Sequence, residues 1–250
     1  MKSIAGALVV SARTFLERPR DVPIERCYHF RGYRYGGFGN NPYEDYIVGL
    51  ANGRDIQDLR RAFAQAMLSS APRTMSEALD IEIHDVPPWQ FPWDPVPKTA
   101  WRPVVEPSQN PDIVCHACEA GVLASHINRE FAWLEASFRS IRIEGYRPQT
   151  LGYIRCLCFV AGGQLSYLVL DGNHRIAALH AVGERSACVK VSPRAIQRVH
   201  SESWPRVKDG TYDKTTALRV FDRYFAERNP PLRHTTQASL VIDEPPQWRV

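Results

Sequence analysis

The sequence lacks any apolar run that approaches the roughly 20 residues needed for a helix to span a membrane. The N-terminal segment IAGALVV is short, lacks a cleavage site typical of signal peptides and is soon followed by charged residues. We therefore expect no membrane span and no secretory signal. The simplest compartment is the cytoplasm.

A strong excess of charge of one sign is also lacking. The chain has 31 Lys and Arg against 27 Asp and Glu, a net charge of +4. This mild excess is weak evidence for a nucleic-acid partner and is compatible with a small anionic ligand. The 250 residues, 44% of them apolar, are enough for one core with substantial additions.

The six cysteines are not arranged as in a zinc ribbon. Cys115 and Cys118 form a C-x-x-C pair, but Cys156 and Cys158 lie in YIRCLCFV, which is typical of a strand. His116 precedes the second cysteine of its pair, which excludes a c-type haem site. We expect buried reduced thiols, because a free cysteine packs as a small apolar residue.

The first of three regions, residues 1–110, is predicted to be an irregular extension packed on the core. It contains one amphipathic helix in RDIQDLRRAFAQAML, whose apolar face consists of Ile56, Leu59, Phe63 and Met67. RGYRYGGFGNNPYEDY and DVPPWQFPWDPVP contain too many Gly and Pro residues for regular elements. Their aromatic residues argue against disorder, because such side chains usually cover a surface.

The second region, residues 111–192, is predicted to form a compact α/β core. Its first helix is indicated by apolar residues spaced by three and four, namely Ile127, Phe131, Leu134, Phe138 and Ile141. YIRCLCFV, AGGQ and LSYLVL are typical of a strand, a turn and a second strand in a hairpin. RIAALHAV is a helix that a glycine ends, and SACVKVS is a third strand. The order is helix, hairpin, helix, strand.

The third region, residues 193–250, is predicted to add a helical cap and an irregular tail. Ala217, Phe221 and Phe225 give DKTTALRVFDRYFAERNP a buried stripe, and Trp204 is expected to pack this helix against the core. The predicted fold class is α/β, with a small mixed sheet, flanking helices, the N-terminal extension and the C-terminal helical cap.

Five polar or flexible residues, Asp171-Gly172-Asn173-His174-Arg175, stand where the second strand of the hairpin meets the next helix. A helix N-terminus binds phosphate through unpaired amides and the positive end of its dipole. Gly172 permits a close backbone approach, and Asn173, His174 and Arg175 can donate hydrogen bonds to phosphate oxygens. Asp171 can hold Mg²⁺ or accept a proton from an attacking hydroxyl.

The alternative is that this turn has a structural role alone. Asp-Gly is a common turn, and Asp or Asn is a common residue before a helix. His174 and Arg175 would then be solvated surface residues.

LVLDGNHRIAALHAVGERSACVKV resembles the signature segment of the ParB/sulfiredoxin-like superfamily: a strand, D-G-x-H-R-x-x-A-A, a glycine that ends the helix, and a short strand. FRSIRIEGYRP resembles the preceding helix of that superfamily, so the likeness covers about residues 120–192. In this superfamily the turn binds nucleotide phosphates, and members include CTP-binding chromosome partition proteins, ATP-using sulfiredoxins and free-serine kinases. The resemblance implies ATP or CTP bound at Gly172, Asn173, His174 and Arg175, with Mg²⁺ on Asp171.

Departures from the other members favour the kinases. Asn173 stands where sulfiredoxins carry the nucleophilic cysteine, and the C-terminal region has little of the basic clustering expected of a partition protein. Kinase members use a glutamate from the preceding helix region as a catalytic base or positioning group. Glu130, Glu135 and Glu144 are the candidates here, each of which is otherwise a surface acid. Glu130 is preferred, because the start of a helix has fewer packing demands than its middle.

The leading hypothesis is an ATP-dependent phosphotransferase acting on a hydroxyl of a small metabolite such as a sugar or an amino acid. Asp171, Glu130 and His174 are its candidate catalytic residues. The alternative is a non-catalytic CTP- or ATP-binding module that switches association with a partner or DNA. A third possibility is a scaffold that binds no nucleotide.

Two further features remain open from the sequence. RGYRYGGFGNN is either a loop that covers a ligand, with Arg31, Arg34 and Tyr35 reaching inward, or a purely structural extension. His180 falls one turn after Ile176 and is expected to be a hydrogen-bonded core histidine rather than a ligand.

Overall fold

The computed structural model describes residues 19–69, 76, 79–81, 90–94 and 120–229, with residues 68–69 and 120–126 described for their backbone alone. The Cys115–Cys118 pair, the tail after residue 229 and most of DVPPWQFPWDPVP lie outside these ranges. Among the described helices, none combines the length and the apolar composition needed to cross a bilayer.

Six described strands form one mixed sheet. They are β1 (Pro19–Pro23), β2 (Cys27–Tyr28), β3 (Ile154–Ala161), β4 (Gln164–Asp171), β5 (Ser186–Val191) and β6 (Ile196–Gln197). The order is β1-β5-β3-β4-β2, and β6 pairs with the far end of β3. The β1–β5 and β3–β4 pairs are antiparallel, whereas β5–β3, β4–β2 and β6–β3 are parallel. The predicted α/β class with a small mixed sheet is confirmed.

Seven α-helices flank the sheet in the part of the chain that the structure describes. They are α1 (Pro42–Ala51), α2 (Ile56–Ser69), α3 (Ala120–Glu144), α4 (Pro148–Leu151), α5 (Asn173–Ala181), α6 (Pro205–Lys208) and α7 (Lys214–Asp222). Short 3-10 helices occupy Ile24–Arg26, Arg198–Ser203 and Arg223–Phe225. The predicted order of helix, hairpin, helix and strand is confirmed by α3, β3–β4, α5 and β5.

Each face of the sheet is covered by its own apolar cluster. On one face α1, α2, α3 and α5 bury the predicted helix stripes, including Phe63, Phe131 and Leu134. On the other face Phe159 and Leu168 pack against the C-terminal region. Trp204 is buried there with its ring centroid 5.3 Å from that of Phe221, which confirms its predicted packing role. Full burial of one such side chain stabilises the fold by about 2 kcal/mol.

The prediction that RGYRYGGFGNNPYEDY lacks regular structure is wrong for its last five residues, with which α1 begins. The side chain of Asn41 accepts hydrogen bonds from the backbone amides of Tyr43 and Glu44, at 3.1 and 3.5 Å. Pro42 follows at the first helical position, where its missing N–H costs nothing. An asparagine cap and a proline therefore start a helix in a segment whose composition resembles that of a loop.

The N-terminal region also supplies two strands of the sheet. The short strands β1 and β2 pair with β5 and β4 at the two ends of the main strand order. β1 contains two prolines, which are tolerated on an edge strand because its outer N–H groups need no partner. The sheet therefore crosses the predicted boundary near residue 110.

The cysteines of the described residues are free thiols. Cys27 and Cys156 are buried, and Cys158 and Cys188 are half-buried. The prediction of buried reduced thiols is confirmed for Cys156. Burial raises the pKa of the Cys27 thiol well above its ordinary value, which keeps it protonated and unreactive.

Candidate functional site

The turn of interest joins the end of β4 to the start of α5. Gly172 lies between these elements with φ 97°, in the left-handed region that favours glycine. A Cβ at this position would lie 2.9 Å from Cγ1 of Ile154, closer than real Cβ contacts come. Both the backbone conformation and the available space therefore require glycine here.

A β-bulge precedes the turn. Cys156 is the register partner of Val169, whereas the neighbouring Arg155 is the partner of Asp171, so Leu170 is an extra residue in β4. Bulges redirect side chains and are over-represented beside functional sites. The Asp171 carboxylate is 60% exposed, and its Oδ2 atom lies 3.2 Å from Nη2 of Arg175.

Arg175 bonds to groups of the chain itself. Its Nη1 donates to the carbonyl oxygen of Leu151, at 3.1 Å, and to that of Gly152. Its Nη2 donates to Asp171, and the side chain is 16% exposed. The arginine thus ties the turn to the end of α4, and the phosphate contact predicted for it stays a prediction.

Glu130 of α3 faces His174 in the first turn of α5. Oε2 of Glu130 lies 2.7 Å from Nε2 of His174. Glu130 is only 2% exposed, whereas the His174 side chain is 22% exposed. A carboxylate at Nε2 favours the tautomer with its proton on that nitrogen, which leaves Nδ1 able to accept a proton. The pair therefore has the arrangement of an oriented general base.

The His174 ring lies between two aromatic side chains. Its centroid is 5.8 Å from that of Tyr43 and 5.7 Å from that of Trp133. Tyr43 is buried, whereas Trp133 is 43% exposed. The imidazole therefore contacts one buried and one exposed aromatic ring, and its own side chain is partly exposed.

Arg31 and Tyr35 of the glycine-rich segment do reach inward, whereas Arg34 does not. Tyr35 is fully buried, and its hydroxyl donates a hydrogen bond to Oδ1 of Asn173 at 2.9 Å. Arg31 is 3% exposed. Arg34 instead stacks over the ring of Phe38 at 3.8 Å. The segment thus brings Tyr35 into contact with the turn and buries Arg31 in the interior.

His29 was not a candidate from the sequence, since CYHFRGY has no spacing that marks it. It is fully buried, its Nδ1 accepts from the backbone N–H of Arg31 at 3.3 Å, and its ring centroid lies 5.1 Å from that of Tyr43. Its Nε2 has no hydrogen-bond partner among the described residues. Burial, with the charges of Arg31 and His174, lowers the pKa of His29 well below its ordinary value. His29 is therefore a neutral donor held close to His174.

The other two candidate glutamates lie elsewhere. Oε1 of Glu135 accepts from the Tyr46 hydroxyl at 2.6 Å and from Nη2 of Arg60 at 2.8 Å. Glu144 pairs with Arg147 at the exposed end of α3. Of the three, the structure brings only Glu130 to the turn.

The residues at the turn are compatible with a magnesium ion that also binds a nucleotide. Within the described residues, no three or more His, Cys, Asp and Glu side chains are grouped to hold a metal by themselves. Magnesium commonly binds through one or two carboxylates together with substrate phosphates. Asp171, with its exposed carboxylate, would be the protein ligand.

The chain matches no protein-family model, no curated protein and no solved structure. The resemblance to the ParB/sulfiredoxin-like superfamily therefore rests on the sequence motif, and membership stays a prediction.

Proposed function

We propose that the protein is a cytoplasmic ATP-dependent phosphotransferase that acts on a hydroxyl group of a small metabolite such as a sugar or an amino acid. The observation that supports this most is the contact of 2.7 Å between the buried carboxylate of Glu130 and the imidazole of His174. The motif resemblance, which favours the kinase members of the superfamily, points the same way.

A hydroxyl acceptor must lose its proton when it attacks a phosphoryl group. Nδ1 of His174 would accept that proton, and the Glu130 carboxylate would stabilise the resulting imidazolium. Proton transfer by a positioned side chain contributes a rate factor of roughly 10²–10⁴. The proposal gives this role to the Glu130–His174 pair and leaves Asp171 as the ligand of Mg²⁺.

Phosphoryl transfer otherwise needs positioning and charge neutralisation. The first amides of α5 face the turn at Gly172, where an anion is favoured by the helix dipole. The Nε2–H of His29 adds a donor near His174. When bound, Mg²⁺ would neutralise phosphate charge, and Asp171 would exchange its contact with Arg175 for the ion.

The test is transfer of labelled γ-phosphate from ATP or CTP, with magnesium, to mixtures of sugars and amino acids. We expect a labelled metabolite, and we expect Glu130→Gln to lower kcat by roughly 10²–10⁴ with nucleotide affinity changed less than about twofold. Glu144→Gln, on the same helix but at its exposed end, should leave kcat unchanged. Full transfer activity in Glu130→Gln would contradict the proposed base.

One observation favours a second candidate, a nucleotide-binding module without turnover. Arg175 connects the turn to the carbonyl oxygens of Leu151 and Gly152, so a phosphate that attracts the guanidinium would release that segment. Nucleotide binding without transfer to any metabolite, accompanied by faster amide hydrogen exchange at residues 151–153, would support this candidate over the enzyme.

A further inference from the structure

A cavity of about 590 Å³ lies where β3 begins and where β4 and β5 end. Its lining includes Asp171 of the turn but neither Glu130 nor His174. The volume is in the range of roughly 300–1,000 Å³ that is typical of small-molecule sites. This cavity is therefore a separate compartment that borders the proposed catalytic turn.

Two cationic side chains, Arg155 and Lys190, line the cavity. They are register partners in the parallel β3–β5 pair, and directly paired residues place their side chains on the same face of a sheet. Two like charges side by side repel each other, which weakens a sheet unless an anion compensates them. Asp171, the register partner of Arg155 in β4, compensates one of these two charges, and the remaining charge favours an anionic occupant.

Apart from Asp171, the described part of the chain offers these two cations little compensation. Among the described residues, the Arg155 guanidinium makes no hydrogen bond or ion pair, and the Lys190 ammonium contacts the Tyr153 ring at 4.9 Å to its centroid. Asp171 is the acid that lines the cavity, and its carboxylate already contacts Arg175. The described lining thus carries two cations against one acid, an excess of positive charge.

Neutral polar groups complete the lining. Gln149, Tyr153 and Ser192 also line the same space, and the side chain of each carries a hydrogen-bond donor. A guanidinium can bind a carboxylate or a phosphate through two parallel hydrogen bonds, and an ammonium adds a point charge. These groups suit a small polar anion rather than an apolar ligand.

We propose that this cavity binds a small metabolite through its carboxylate or phosphate group, with Arg155 and Lys190 as the residues that hold the anion. The site is additional to the nucleotide site and requires no turnover. Because Asp171 and Gly152 both line the cavity and both contact Arg175, the occupant lies against the residues that support the turn.

The test uses the ¹⁵N-labelled full chain, titrated separately with inorganic phosphate and with malonate. The readout is the shift of the backbone amides of Lys190, Val191 and Ser192, which line this cavity and lie outside the segment 151–153 that Arg175 connects to the turn. We expect saturable shifts with at least one anion, and the anion that binds more tightly identifies the phosphate or the carboxylate as the preferred group. The double variant Arg155→Gln/Lys190→Gln should weaken that binding at least tenfold.

The matched control is Arg139→Gln/Lys208→Gln, which removes the same net charge at two exposed positions outside the cavity. It should keep the anion affinity within about twofold, because screened surface charges contribute little at a distance. Equal weakening in both double variants would show general electrostatics and overturn the proposal. Absence of shifts at millimolar anion in the folded wild type would also overturn it. Phosphotransfer activity enters neither outcome, so this site and the proposed function fail independently.

Discussion

The hydroxyl of Tyr35 donates a hydrogen bond to Oδ1 of Asn173, with the two oxygen atoms 2.9 Å apart. Tyr35 is fully buried, and Asn173 is 8% exposed. The contact joins a segment near the N-terminus to the first residue of α5, 138 positions later. Buried polar groups are costly when they lose their partner, so this bond fixes the position of the turn relative to the glycine-rich segment.

Removing the hydroxyl should therefore destabilise the fold. We expect Tyr35→Phe to lower the free energy of unfolding by about 1–3 kcal/mol, because Oδ1 of Asn173 is left buried without its partner. Urea denaturation followed by circular dichroism measures the loss. The matched control is Tyr33→Phe, since Tyr33 is also buried but its hydroxyl bonds to no described residue. Equal losses in the two variants would contradict a specific role for the Tyr35–Asn173 bond.

Replacement of Arg175 should also cost stability, because its donors reach Leu151 and Gly152. We expect Arg175→Ala to lower the free energy of unfolding by about 1.5–3 kcal/mol, the range for hydrogen bonds that involve a charged group. Asp171→Asn should cost less than about 1 kcal/mol, since that carboxylate is exposed and its ion pair is screened by solvent.

Chemical denaturation and calorimetric titration with ATP separate the two roles of Arg175. If Arg175→Ala kept full stability and lost nucleotide affinity, the arginine would serve the ligand and the expected structural contribution would be absent. Loss of stability in Asp171→Asn equal to that in Arg175→Ala would instead show that the ion pair, rather than the carbonyl contacts, holds the turn.

The helices and the hairpin of the core can be predicted from sequence because their burial repeats locally. Phe131, Leu134 and Phe138 recur at the spacing that puts them on one face of α3, and this face is buried. The turn is equally local, since a strand, a glycine and a helix follow one another in the chain. Elements whose start depends on one capping side chain, such as α1 with Asn41, leave a weaker sequence signal because the composition of the segment resembles that of a loop.

The contacts that build the candidate site are not local. Glu130 and His174 are separated by 44 positions, and no periodicity in either helix encodes their meeting. The sequence favours Glu130 on the expectation that it lies at the start of its helix, which is wrong, because α3 begins at Ala120 and Glu130 is buried near its middle. Glu130 meets the turn because α3 packs against α5. His29 and Tyr35 precede the core in the sequence. They become neighbours of the site only because β2 pairs with β4 in the sheet.

The left-handed conformation of Gly172 gives a further prediction, for which Gly183 of the same chain serves as the control. Gly183 has nearly the same φ, 94° against 97°, but a Cβ there would meet no atom within 4 Å. We expect Gly183→Ala to cost about 1–2 kcal/mol of unfolding free energy from backbone strain. Gly172→Ala should cost a further 1–3 kcal/mol or so, because its Cβ would press on Ile154 in a packed core. Equal urea midpoints for the two variants would contradict this crowding.

The contact between His180 and Glu44 predicts a defined pH dependence of stability. Nδ1 of His180 lies 2.9 Å from Oε1 of Glu44, and this partner raises the pKa of His180 above its ordinary value of 6.5. A raised folded-state pKa contributes stability that is complete below pH 6.5 and is lost as the pH rises through the folded-state pKa. His180→Gln should therefore lose unfolding free energy relative to the wild type at pH 6, and this deficit should shrink toward pH 9. The control is His200→Gln, at an exposed position, which should differ from the wild type by the same unfolding free energy at each pH. A deficit of His180→Gln in unfolding free energy that grows with pH would contradict the contact between His180 and Glu44.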